Sequence, residues 1–175
     1  MTALTSIPTI ETDRLVLRAP AAHDVAPFVA FFKSKASTGV GGPLPEYETW
    51  RYLAQVLGHW HLRGFGRWIV TTQDADAAIG LIGLHAPLEW PEPEVGWMLW
   101  DRNGQGLATE AATAARAYAY GTLGFKTLVS CIVENNPASR AVAQRLGAKR
   151  DAEDFVHPKY GTIQVWRHPS PEALA

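Results

Sequence analysis

The residues with the clearest chemical potential lie in one stretch, Arg102 to Ala111 (RNGQGLATEA). Gly104, Gly106 and Ala108 alternate there, so the chain bends with little side chain along one edge. The apolar run Glu94 to Trp100 (EVGWMLW) before it reads as a strand, and the small-residue segment Thr109 to Leu123 after it reads as a helix. A helix start leaves four backbone N–H groups without partners and carries roughly half a positive charge. Small residues allow a bulky anion to reach those groups. The chemistry this allows is a diphosphate cradle made of main chain. A tight strand-to-helix turn that merely needs glycine satisfies the same pattern. Other chemistries find less support. The single Cys131 excludes an internal disulfide, and no Cys/His spacing suggests zinc, so no metal is expected.

The elements that must hold such a bend follow from the rest of the chain. Its 175 residues, 47% of them apolar, suit one domain with a substantial core, taken as residues 1–168 with 169–175 as a frayed tail. A formal net charge of −1 argues against general binding to nucleic acid or a membrane surface. Met1 to Pro8 is too short and mixed for a secretory segment, and no apolar run suits a membrane span, so a soluble cytoplasmic protein is expected. Thr12 to Arg18 alternates as a half-buried strand. Asp24 is placed to cap a helix through Val25, Phe28, Val29 and Phe32. After the Gly/Pro loop Thr38 to Pro45, a second helix from about Glu46 carries Trp50, Leu53, Ala54, Leu57 and Trp60 on one face and ends at Gly64. Strands at Arg67–Thr72, Ala77–His85 and Glu94–Trp100 are joined by short connections that favour an antiparallel meander. The order then changes. Helix 109–123, with Ala108, Ala111, Ala112, Ala115 and Ala119 on one face, leads to strand Thr127–Val133, and strand–helix–strand implies a parallel pair. Asn136-Pro137 opens another helix as N-cap and first residue, and strands near Ala148–Phe155 and Thr162–His168 close the domain.

Four segments in this order resemble the GNAT N-acetyltransferases, in the branch related to ribosomal-protein N-terminal acetyltransferases. They are TDRLVLR from Thr12, EVGWMLW from Glu94, NGQGLATEA from Asn103 and NPASRAVAQRLGA from Asn136. The resemblance implies an α/β (α+β) fold: a mixed, mostly antiparallel sheet of about six or seven strands, with about four flanking helices. Two strands, Glu94–Trp100 and Thr127–Val133, are expected to part and admit acetyl-CoA. It further implies pantetheine contacts with the backbone around Met98, Leu99 and Trp100, and a diphosphate site at Asn103, Gly104, Gln105, Gly106, Leu107, Ala108 and Thr109. Asn136 matches an asparagine near the thioester end, and Ser139 a residue near the sulfur. Two departures stand out. Asn103 stands where the pattern has Gln or Arg, with Arg102 available to compensate, and Ala143 stands where many relatives carry a tyrosine proposed as general acid. The family also contains many dimers, so a homodimer is a further expectation.

If acetyl-CoA binds, the reaction is attack of a neutral amine on a thioester, assisted by a base for the amine and an acid for the departing thiolate. Glu94 shares a strand face with Gly96 and Met98 and is the first candidate base; a strand-end salt bridge is the alternative. His85 ends the neighbouring strand and is the second candidate, or a structural histidine. Ser139 either meets the thiolate or bonds the backbone of its helix. His157 and Tyr160 lie in a late loop near the expected acceptor pocket, which Trp50, Trp60, Trp68, Trp97 and Phe28 either line or leave for the core. Arg102, Arg140 and Arg145 are available for CoA phosphates or for solvent. The competing functions are a CoA-binding module without turnover and a dinucleotide-binding oxidoreductase. The second is disfavoured because Phe125 to Val133 offers no acidic residue at the end of the strand after the turn.

Overall fold

The computed structural model describes residues 6–175; the Met1–Thr5 part of the segment read as too mixed for secretion lies outside them. β1 (Ile10–Glu11) and β2 (Leu15–Arg18) form a small hairpin around Thr12–Arg14. Then come α1 (Val25–Lys33), a 3₁₀ turn over Lys35–Val40, α2 (Glu46–Arg63), β3 (Arg67–Thr72), β4 (Ala75–His85) and β5 (Glu94–Leu99). α3 (Leu107–Gly121), β6 (Val129–Val133), α4 (Pro137–Arg145), β7 (Lys149–Arg150), β8 (Phe155–His157), β9 (Gly161–Arg167) and α5 (Pro171–Leu174) complete the chain.

The strands make one sheet in the order β1-β2-β3-β4-β5-β6-β9-β7, with β8 also on β9. Every pairing is antiparallel except β5 with β6. Nine strands are described where about seven are expected. Two local breaks explain the difference. The Thr12 N–H donates to Leu15 O, so the opening segment turns before it becomes β2. Residues 148–155 yield only the short β7 and the start of β8.

Two apolar layers sandwich the first half of the sheet. On one face α3 lays its alanines Ala111, Ala112, Ala115 and Ala119, all at 0% exposure, against Leu15, Leu17, Val70, Ile82 and Val95. Residues this small let the helix approach the sheet closely. On the other face Phe28, Phe31 and Phe32 of α1 and Leu53 and Val56 of α2 cover Ile69, Leu81 and Met98. The buried stripe of α2 therefore runs through Thr49, Leu53, Val56 and Trp60, not through Trp50 and Leu57, which are exposed. An apolar count fits either stripe; only the partner surface selects between them.

One expected cap and the expected tail turn out differently. Asp24 precedes α1 but makes no side-chain cap bond. Its buried carboxylate instead pairs with Arg18 at 2.8 Å and accepts the Ala21 N–H. The expected frayed tail contains α5, where the Ser170 hydroxyl accepts the Ala173 N–H. Among the described residues no helix is long and apolar enough to cross a membrane.

Candidate active site

The parallel strands β5 and β6 meet in register only at Glu94 and Val129, then diverge. Side chains hold the seam where the backbone ladder stops. Cys131 N–H donates to Glu94 Oε2 at 3.1 Å, and the Ser130 hydroxyl donates to Val95 O at 2.6 Å. Ser130 is itself held by a relay: Arg116 Nη1 lies 3.2 Å from His168 Nδ1, and His168 Nε2 lies 2.9 Å from Ser130 Oγ. The donor directions fit one tautomer, with His168 carrying its proton on Nε2. Burial, then the Arg116 charge, lowers the His168 pKa to about 4, so this imidazole is neutral near pH 7.

Main-chain groups alternate sides along a strand. Val95 O faces β6, whereas Trp100 N–H donates to Ile79 O on β4 at 3.0 Å. Trp97 and Leu99 therefore turn their amide groups toward the gap. Of the three residues expected to meet pantetheine, Leu99 presents backbone there; Met98 and Trp100 direct theirs to β4, and Met98 supplies a side-chain wall.

The bend before α3 is built as its glycines suggest. Gly104 and Gly106 have φ of +81° and +79°, a conformation side chains rarely adopt, and a Cβ at Gly104 would meet nothing within 4 Å. The first intrahelical bond is Glu110 N–H to Gly106 O, so the amides of Leu107, Ala108 and Thr109 precede it. The Thr109 hydroxyl is buried without a hydrogen-bond partner. Open glycine backbone, first-turn amides and an orphan hydroxyl fit a diphosphate. A clamp that composition does not advertise fixes the bend. Glu110 accepts from Thr12 Oγ1 at 2.6 Å, Arg14 N–H at 3.0 Å and Arg14 Nε at 2.6 Å, while Arg14 Nη1 holds Gln105 O at 3.0 Å. Burial opposes ionisation of Glu110, but Thr12 and Arg14 outweigh it and keep its pKa below the usual value.

Two cavities share the gap. One, of about 760 Å³, runs past Asn103, Ala108 and Leu99 between β5 and α4. The other, of about 560 Å³, is walled by the 3₁₀ turn and its loop, α2, the loop after β4 and the loop before β9. Trp97, Met98, Asn136, Ser139 and Tyr160 line both. Asn136 caps α4 by accepting the Ser139 N–H at 3.0 Å and donates to Gly39 O at 3.1 Å, so it ties α4 to the 3₁₀ turn. Ser139 is half-buried at the junction. Ala143 is fully buried among Ile132, Ala148 and Trp166, which leaves no room there for a tyrosine.

Glu94 does face the second cavity, but as one half of a buried ion pair. Arg67 Nη2 donates to its Oε1 at 2.8 Å, and Arg67 Nη1 donates to the Tyr52 hydroxyl at 2.6 Å. Burial pulls the Arg67 pKa down, yet Tyr52 and Glu94 more than restore it. His85, opposite Glu94 in register, stacks on His59 with ring centroids 5.3 Å apart. Burial, Arg67 and His59 hold its pKa far below the usual imidazole value, so it is a neutral acceptor. Burial raises the Cys131 thiol well above its usual pKa, and Glu94 adds to the effect.

The remaining expectations separate. Trp60, Trp68 and Phe28 are core, and Trp50 lies on the exposed side of α2. Trp97 lines both cavities; Trp90, an unconsidered residue, lines the second. His157 and Tyr160 also line it, stacked 4.7 Å apart. Arg140 bonds Glu134 O, and Arg102 and Arg145 are exposed. Sequence reading also missed Arg67 and Tyr52. A lone arginine opening an apolar strand is the one available signal, and it names no partner.

Residues 14–149 match the acetyltransferase (GNAT) domain family. The chain is 25% identical over 151 residues to YoaA, an uncharacterized N-acetyltransferase of Bacillus subtilis (strain 168), across 82% of this chain and 84% of the relative. The crystal structure of an acetyltransferase from Agrobacterium tumefaciens str. C58 aligns at TM-score 0.86 and 37% identity, over 97% of this chain and 98% of that one. RimL, a ribosomal α-N-protein acetyltransferase solved in complex with coenzyme A, shares the fold at TM-score 0.73 and 17% identity, over 92% and 97% of the two chains. With its parted strands and glycine bend, the chain belongs to the GNAT acetyltransferases, a family that transfers acetyl groups from acetyl-CoA.

Proposed function

We propose that this protein acetylates a primary amine, with acetyl-CoA in the cavity beside α4 and the amine entering from the cavity beside α2. The observation that carries this reading is the shared wall of the two cavities at Trp97, Met98, Asn136, Ser139 and Tyr160. The bend Asn103 to Thr109 would hold the diphosphate, and the Trp97 and Leu99 amides the pantetheine arm. Bound acetyl-CoA supplies an activated thioester carbonyl. The protein supplies position and proton handling. Glu94 holds the amine and takes its proton: each carboxylate oxygen has one partner and retains a lone pair. His85 stays neutral and adds no competing positive charge. Ser139, with Tyr160 across the junction, offers a hydroxyl to the leaving sulfur.

The test is release of free CoA thiol from acetyl-CoA against a panel of small amines and N-terminal peptides. Release with an amine on the panel is the expected result. Tight CoA binding without release across the panel overturns the reading and leaves a binding module. Gly106→Trp separates the bend from the rest of the site. Its side chain fills the cradle and forces a left-handed backbone that costs roughly 1–2 kcal/mol. Calorimetry should show CoA binding abolished in a protein that still folds; unchanged binding removes the bend from its role.

A further inference from the structure

The cavity beside α2 is walled in part by an amine of the chain itself. Among the described residues lining the two cavities, Lys159 is the one primary amine. It sits in the turn between β8 and β9. The backbone of that turn is fixed. Lys159 N–H and Tyr160 N–H donate to His157 Nδ1 at 3.0 and 3.3 Å, and the His157 ring stacks on Tyr160. The Lys159 side chain is held far less. Its Nζ lies 5.2 Å from the centroid of the Tyr160 ring, a weak cation–π contact at an exposed site. Lys33 pairs with Glu46 at 2.8 Å, whereas among the described residues no carboxylate pairs with Lys159. Tyr160 belongs to the wall common to both cavities, so the ammonium rests on a ring of the partition between them. Glu94 faces the same cavity. A flexible four-carbon stem carries the amine, and rotation about its own bonds moves it while the turn stays in place.

The geometry points to Lys159 as a self-modification site: with acetyl-CoA bound and no free amine present, the chain acetylates its own Lys159 Nζ. This rests on the reading of the chain as an amine acetyltransferase and adds a site on the enzyme itself. The nitrogen attacks the thioester carbonyl carbon, so a C–N bond forms and the C–S bond breaks. Of the ammonium's three protons, one stays on the amide nitrogen and one goes to the leaving thiolate. The third passes through Glu94 to solvent. The product is a neutral amide that no longer meets the Tyr160 ring as a cation. A short flexible tether gives the amine a local concentration on the order of millimolar at the bound thioester, an advantage no distant lysine shares.

The test incubates the full chain with acetyl-CoA and no added amine. Mass spectrometry of the intact chain and of its peptides locates the acetyl group, and a thiol reagent counts the CoA released. Lys159 should be acetylated about tenfold faster than Lys33, Lys35, Lys126 or Lys149, with one thiol released per chain and a rate independent of protein concentration. Lys159→Arg keeps the charge and removes the nucleophile, so the fast acetylation should vanish and move to no other lysine. Gly106→Trp, which blocks the cofactor bend, should leave Lys159 no faster than the rest. Equal labelling of all five lysines, a Lys159 rate unchanged in Gly106→Trp, or a rate that rises with protein concentration overturns the inference. Thiol release with an amine of the panel while Lys159 stays unlabelled sinks this inference and leaves acetyl transfer to free amines standing. Labelled Lys159 with no panel amine accepted does the reverse.

Discussion

Cys131 lines a cavity yet should behave as an unreactive thiol. Burial and the Glu94 carboxylate both oppose the thiolate, which is the nucleophilic form. Ellman's reagent at pH 7.5 should label the native protein far more slowly than the urea-unfolded chain; fast stoichiometric labelling of the folded protein would refute the assignment. Glu94 holds a buried ion pair and is the base proposed above, and one substitution tests both. Removing one partner of a buried ion pair costs about 3–5 kcal/mol, since the other charge stays buried. Glu94→Gln should therefore lower the unfolding free energy read from urea titration by that order and also cut thiol release in the fraction that remains folded. A variant with wild-type turnover per folded molecule would exclude Glu94 from proton transfer. The sequence allowed Glu94 to be placed on the correct strand face, because alternation along a strand is rigid. It could not show that Arg67, one strand beyond β4, reaches the same carboxylate. That contact depends on sheet order and on Gly96 between them: a Cβ at Gly96 would sit 3.0 Å from Arg67 Nη2.

Elements act here through side chains placed at their ends. The opening TDR turn and the first turn of α3 are far apart in sequence, yet Thr12 and Arg14 grip Glu110 and Gln105 O and keep the glycine bend in place. The pair is partly exposed, so its contribution to stability is about 1 kcal/mol at most. Its effect should appear in cofactor affinity. Glu110→Ala is expected to raise KM for acetyl-CoA several-fold, with kcat and KM for the amine little changed. An unaltered KM for acetyl-CoA would reduce the clamp to a surface ion pair. Both motifs were legible as separate segments, and their resemblance to one family placed them in one fold. Their mutual contact was not, because nothing local in either segment encodes a partner across the sheet. Boundaries set by caps read well: Asn136 and Gly64 sit where expected because each completes its own helix end. The phase of α2 did not, since Trp50 and Leu57 are apolar and lack an apolar surface to meet.

At the scale of the molecule, three neutral histidines sit inside the structure: His59, His85 and His168, each with its pKa lowered first by burial. A depressed folded pKa means the unfolded chain binds protons first, so the stability is fully present above about pH 6.5 and is lost as pH falls. For His168 the window runs from about 6.5 to about 4 and amounts to about 3 kcal/mol, from roughly 1.4 kcal/mol per pH unit. Urea midpoints should fall steeply between pH 6.5 and 4, and His168→Asn should flatten that slope across the whole window. An identical slope in the variant would take His168 out of the account. The mixed sheet with its helices on both faces was readable because the order of elements changes once, after β5, and that change forces the parallel pair. The relay behind the pair was not readable, since Arg116 lies on α3, Ser130 on β6 and His168 just past β9. That relay carries a mechanical consequence. The sheet amounts to two plates, β1–β5 and β6–β9, joined along a seam with one backbone rung and two side-chain pins. Load applied across it should tear there first, and a molecule lying in the wedge, bonded to both plates, would serve as the missing rungs.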